Sequence, residues 1–122
     1  MILFCGIPSE SPLAFAISAA EALGVDHIVF NQRHARFTDL SLDVRNGRAS
    51  GALWLWEREL SLDDITGVYT RLIESGELPE TKPNERRAPD QRDVNHSAFL
   101  HSTLNDWLEV AECTVAGFPA VG

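Results

Sequence analysis

Residues 1–31 read MILFCGIPSESPLAFAISAAEALGVDHIVFN, and the reading of this stretch decides the fold. Met1 to Cys5 is a short apolar run suited to a buried parallel strand, and Gly6-Ile7-Pro8-Ser9-Glu10-Ser11 punctuates it. Pro12 opens a helical pattern, with Ser11 placed to cap it and the proline at the first helical position. Leu13, Ala16, Ile17, Ala20 and Leu23 recur at helical spacing on one face, and Gly24 is a natural stop. His27 to Asn31 returns as a second strand around Ile-Val-Phe. Strand, loop, helix and strand in this order imply parallel pairing through a right-handed crossover. Such a unit says where a ligand sits, not which ligand it is.

Outward from this unit, Gln32 to Arg36 is a polar, basic segment beyond the second strand tip. It reads either as a solvated loop or as a place where Arg33, His34 and Arg36 meet an anionic group. Leu40 to Glu57 has the pattern of a β-hairpin: Leu40, Leu42 and Val44 alternate with polar residues, and Asn46-Gly47 supplies the turn. The return strand, Ala52 to Trp56, puts Trp54 and Trp56 on one face and Leu53 and Leu55 on the other. The tryptophan face serves either ligand stacking or packing on another layer or partner. Ser61 to Ile65 resembles one capped helical turn leading into a third core strand that ends near Arg71 and Leu72.

Ser75 to Asp93 combines Pro79, Pro83 and Pro89 with mixed charges and shows no periodicity, so it reads as an exposed loop. Asp90 or Asp93 caps a long helix running to about Glu112, with Val94, Ala98, Leu104, Trp107, Leu108 and Ala111 at helical spacing toward the sheet. Thr114 to Ala116 is a fourth core strand.

A chain of 122 residues is one domain, 1–122, large enough to hold a core without metal or disulfide support. Its formal charge of −8 argues against a nucleic-acid surface. Of the ten basic residues nine are arginines, so Lys82 is the one lysine for phosphate or Schiff-base chemistry. Phosphate-loop, dinucleotide and nucleophile-elbow motifs are absent. Cys5 and Cys113 read as buried free thiols, with a disulfide left open; a Cys5–His34 pair lacks a third orienting group. His96 and His101 are five apart, which turns them away from a common ligand geometry, so no metal site is expected. No signal-peptide pattern and no apolar run near the ~20 residues of a bilayer span is present, which places the protein in the cytoplasm.

The order of elements, the segment Leu60-Ser61-Leu62-Asp63-Asp64-Ile65-Thr66-Gly67-Val68-Tyr69-Thr70-Arg71 and a helix around Phe99 to Leu108 together carry a resemblance. With its aromatic–x–Arg ending, Tyr69-Thr70-Arg71, the chain resembles the N-terminal, pre-ATP-grasp domain of ATP-grasp carboxylate–amine ligases, in the glutamate-ligase-like branch. The resemblance implies an α/β, Rossmann-like domain: a mainly parallel sheet from Ile2–Cys5, Ile28–Asn31, Val68–Leu72 and Thr114–Ala116. Helices Pro12–Leu23 and about Arg92–Glu112 flank it, and the Leu40–Glu57 hairpin lies to one side.

In that family ATP and magnesium are held by two later domains, and none of that machinery lies in these residues, so no cofactor is expected in this chain. Ala116-Gly117-Phe118-Pro119 also departs from the Asn-containing turn usual there. The resemblance implies a substrate-side ligase domain, inactive alone, whose chain is a fragment or a domain without its catalytic partner; a stand-alone binding module is the alternative. Either form would associate through apolar surface, as a homodimer or with ATP-grasp domains. A small anionic ligand is expected at the carboxyl ends of the strands, against Gly6, Ile7, Asn31 and Arg71.

Overall fold

The computed structural model describes residues 1–56, 58–84, 88–111 and 113–117. In chain order its elements are β1 (Ile2–Gly6), α1 (Ser11–Ala22), β2 (His27–Asn31), β3 (Thr38–Arg45), β4 (Arg48–Leu55), β5 (Arg58–Ser61), β6 (Gly67–Thr70), α2 (Gln91–Val110) and β7 (Thr114–Ala116). A four-stranded sheet runs in the order β2-β1-β6-β7 with every pair parallel, and β3-β4-β5 form a separate antiparallel sheet. The α/β architecture expected from the sequence is the one observed.

β1 is central because it is apolar on both faces. Leu3 lies between Ile28 of β2 and Val68 of β6, and Phe4 lies between Val29 and Tyr69. Strand alternation sends Leu3 and Cys5 to one face, where they meet Phe30, Val68, Leu40, Leu53, Leu100, Leu104 and Trp107. Phe4 points to the other face, against Leu13 and Ala20 of α1. Each fully buried leucine of this core contributes about 1.5–3 kcal/mol through removal of apolar surface from water. Both cysteines are free; Cys5 is buried, and desolvation drives its thiol well above the ordinary range.

Several local details differ from the sequence reading. The extended residue before α1 is Glu10, with Ser11 already helical, and no side chain caps the helix. The helix ends as expected: Gly24 is left-handed at φ 67°, and Val25 N–H closes back on Ala20 O at 2.9 Å. Residues Gln32–Phe37 form a short 3₁₀ helix rather than a loop, because Asn31 Oδ1 accepts from the Arg33 amide at 2.9 Å. The third core strand ends at Thr70, although the Arg71 amide still donates to Cys5 O at 2.8 Å.

The hairpin turn has both Asn46 and Gly47 at positive φ, as the sequence indicated, but the hairpin gains a third strand, β5. Trp54 and Trp56 do not share a strand face. β4 ends at Leu55, and Trp56 turns out of it at φ 38° to meet the Phe37 ring edge-on at 4.2 Å. The hairpin's predicted last residue, Glu57, lies outside the described residues.

Residues 85–87 lie outside the described residues, and the described part of the stretch from Ser75 to Asp93 is less open than its composition suggests. A 3₁₀ turn at Ser75–Glu77 precedes Leu78 and Thr81, both buried against the core. In α2 the buried residues are Ser97, Leu100, Leu104 and Trp107, while Ala98 is exposed. The helix lies across the 3₁₀ segment and β3, so its inward stripe is rotated from the one drawn for a helix lying on the parallel sheet. The helix ends at Val110, with Ala111 already extended, slightly short of the expected end near Glu112; the departure beyond Gly117 lies outside the described residues.

Asp90 caps α2, accepting from the Arg92 amide at 2.9 Å, and that bond, with help from the Arg92 side chain, holds its carboxyl below the usual carboxylate range. A carboxyl depressed in the folded state adds stability that is present above the unfolded value of ~3.9 and is lost as pH falls through the lower folded value. Asp90→Ala is therefore expected to lower the melting temperature by a few degrees at pH 7, with the gap to wild type closing below about pH 3.5. Thermal melts by circular dichroism across this range check it; a gap that persists in acid would show that Asp90 acts other than as a charged cap.

Candidate functional site

Parallel pairing brings the ends of three strands together. Gly6 and Asn31 are register partners at the ends of β1 and β2, and Thr70 sits beside Cys5 at the end of β6. Over these tips runs Ile7-Pro8-Ser9, closed by a bond from the Glu10 amide to Ile7 O at 2.9 Å. An open cleft of about 420 Å³ lies here, lined by Ile7, Pro8, Ser9, Asn31, Arg33, His34 and Glu80.

The four residues expected at the site divide between two settings. Ile7 and Asn31 face the cleft. Gly6 serves the backbone: at φ 143°, an added Cβ would stand 2.8 Å from the Arg71 carbonyl oxygen, so only glycine lets the two strand exits approach. Arg71 turns toward the start of α1, where Nη2 and Nε donate to Glu10 Oε1 at 2.8 and 3.1 Å. The side chains of this pair are 19% and 25% exposed, and the Glu10 hydrogen bond raises the guanidinium pKa further. Arg71 is thus held in a salt bridge with Glu10, outside the residues that line the cleft.

The guanidinium that lines the cleft is that of Arg33. Its Nε donates to Glu80 Oε1 at 2.8 Å. Just beyond, Arg36 holds Asp93 at 2.6 Å, a bond that raises the arginine pKa. These residues line a second cleft of about 260 Å³ with His96, whose Nε2 lies 2.7 Å from Thr38 O. The basic segment flagged in the sequence thus reaches the strand tips, each arginine against a carboxylate far away in the chain.

Gln32 braces this arrangement from within. It is buried, its Nε2 donates to Ile73 O at 2.9 Å, and its Oε1 accepts from the Ile73 amide at 3.0 Å. Neither this clamp nor the partners Glu10 and Glu80 had a signal in the sequence, because each contact spans more than forty residues. A cavity of about 440 Å³ beside Arg48, Thr66, Trp107 and Cys113 lies at the opposite, amino-terminal end of β6. Among the described residues no three His, Cys, Asp or Glu side chains converge as metal ligands, and no helix is long and apolar enough to cross a membrane.

No protein-family model matches the sequence, and no curated protein matches it. Similarity lies in solved structures. The macrocyclase MdnC from Microcystis aeruginosa MRC, bound with precursor peptide MdnA, superposes with a TM-score of 0.58 at 17% identity, over 99% of this chain and 36% of that one. A RiPP-associated ATP-grasp ligase from Chryseobacterium gregarium, in complex with ADP and a leader and core peptide, gives 0.60 at 19% identity over 97% and 35%. The macrocyclase MdnB from Microcystis aeruginosa MRC gives 0.55 at 9% identity over 93% and 36%. The chain spans about a third of the length of these enzymes, and across nearly all of its own length it has the fold they share, consistent with the pre-ATP-grasp-like domain that its sequence resembles.

Proposed function

We propose that this chain is the substrate-side domain of an ATP-grasp-type carboxylate–amine ligase and that it does no chemistry with ATP by itself. One observation carries the reading: the near-complete match of the chain to a third of each of several ATP-grasp ligases and macrocyclases. In this reading ATP and magnesium belong to domains outside these residues, and the strand-tip cleft helps position the substrate. The neighbours bound to precursor, leader and core peptides favour a peptide substrate.

The reading assigns Gly6, Ile7, Asn31 and Arg71 to one site. Gly6 permits the close approach of the strand exits, Ile7 and Asn31 line the cleft, and Arg71 offers an anion a bidentate partner in exchange for Glu10. The alternative, a stand-alone binding module that keeps the fold without catalysis, shares this site; the reading frame beyond Gly122 distinguishes the two.

Association is part of the proposal. α1 is apolar nearly all round, yet Phe15 and Leu23 are 77% and 79% exposed, and Trp56 is exposed on the far sheet. These faces suit either ATP-grasp domains or a second copy of the chain.

Three outcomes are expected. Calorimetry of the 122-residue chain with Mg-ATP should show no binding in the micromolar range; micromolar affinity would overturn the division of labour. Sedimentation at high micromolar concentration should show a dimer, whereas a clean monomer would remove self-association from the reading. Arg71→Lys should weaken an anionic ligand about tenfold while leaving the fold intact, as read by titration and circular dichroism. Equal affinities would confine Arg71 to its ion pair with Glu10.

A further inference from the structure

We propose that the cavity at the amino-terminal end of β6, opposite the strand tips, binds a free amino acid with an apolar side chain. Arg48 takes its carboxylate and Asp63 its ammonium. This site is separate from the strand-tip cleft and from any ATP-grasp context, so its failure would leave the reading above intact.

Three parts of the fold meet around this space of about 440 Å³. The start of β4 brings Arg48, the 3₁₀ turn Leu62–Asp64 brings Leu62 and Asp63, and the end of α2 brings Trp107 and Ala111. Leu62, Ile65 and Trp107 are buried members of the main core, so the floor of the cavity is apolar and fixed before a ligand arrives. The volume is of the order that small-molecule sites have.

The charged rim is unengaged. Across the hairpin from Arg48, Arg45 pairs with Asp43 at 2.9 Å, whereas Arg48 has no partner among the described residues. The Asp63 side chain has none there either; the residue's amide donates to Ser61 Oγ at 3.2 Å. Opposite charges thus line one cavity with no ion pair between them. The guanidinium keeps its donors, and the carboxylate its two acceptor oxygens, for a molecule that bridges them.

The bridging molecule must carry both charges. A simple anion would meet Arg48 but be repelled by Asp63, and a simple cation the reverse. A zwitterion answers both. Its side chain must be uncharged, because it lies against Leu62, Ile65 and Trp107, where a charge would lose solvation without compensation. An aromatic or large aliphatic side chain gains most from that floor. The last turn of α2 contains no basic side chain, so its carbonyl end adds to the pull on the ammonium.

The test uses the 122-residue chain, titrated at constant ionic strength with L-phenylalanine, hydrocinnamate, phenethylamine and glycine and followed by amide shifts in heteronuclear NMR. Phenylalanine is expected to shift Ala49, Asp63, Thr66 and the Trp107 indole. Hydrocinnamate, phenethylamine and glycine lack the ammonium, the carboxylate and the apolar side chain in turn, and each should bind about tenfold more weakly or worse. Arg48→Gln should weaken phenylalanine about tenfold and remove its advantage over phenethylamine. Asp63→Asn should remove its advantage over hydrocinnamate, while Arg45→Gln on the exposed hairpin has no effect. Both site variants are expected to fold, as circular dichroism checks, and the wild-type titrations decide the matter even where one does not. Equal affinity for any of the three analogues, a folded Arg48→Gln that binds as wild type, or shifts confined to the strand tips would each overturn the proposal. So would the absence of shifts at tens of millimolar phenylalanine.

Discussion

Everything in this molecule depends on β1 being hydrogen-bonded on both edges and buried on both faces. Five residues, Ile2 to Gly6, accept β2 on one side and β6 on the other, while Phe4 packs under α1 and Leu3 and Cys5 pack toward α2 and the antiparallel sheet. A strand so enclosed cannot carry a charge without losing solvation on every side, which is why its sequence is an unbroken apolar run. Its parallel pairing also dictates that β1, β2 and β6 end together.

The ends of those strands are tied by three kinds of contact that reinforce one another. The Arg71 amide extends the pairing with Cys5, its carbonyl lies where only a glycine at position 6 leaves room, and its side chain reaches Glu10 at the start of α1. Gln32 adds a second clamp, from the 3₁₀ segment after β2 to Ile73 beyond β6. The strand tips therefore form a braced rim. Arg33 and Arg36 rise from the neighbouring 3₁₀ segment with their carboxylate partners Glu80 and Asp93 supplied by the far half of the chain.

The antiparallel sheet and α2 close the opposite face. Leu40, Leu53 and Leu60 come from three successive strands and meet Leu100, Leu104 and Trp107 of the helix in one cluster. On the other side α1 covers Phe4 through Leu13 and Ala20, while Phe15 and Leu23 remain in solvent. The apolar cleft along Ile2, Tyr69 and Ala116 continues on the sheet face with Phe4. Apolar surface thus stays exposed on the α1 side, and the polar cleft lies at the strand tips.

What the sequence determined by itself is the set of elements whose cause is local. Apolar runs of strand length, the helical spacing from Leu13 to Leu23, the Asn46-Gly47 turn and an aspartate cap at Asp90 or Asp93 each follow from side chains a few residues apart, and together they specify four parallel strands, two helices and a hairpin. Gly6, Ile7 and Asn31 were legible as strand-tip residues for the same reason. Tertiary structure decided what each arginine does. Whether Arg71 faces a cleft or a carboxylate depends on where Glu10 arrives, and whether Arg33 is solvated or braced depends on Gln32, Ile73 and Glu80. It also set the outward turn of Trp56 and the burial of Leu78 inside a proline-rich stretch, because both depend on neighbours brought up by the fold rather than by the chain. Local chemistry selects elements; pairing between distant charges, which no period in the sequence records, selects the site.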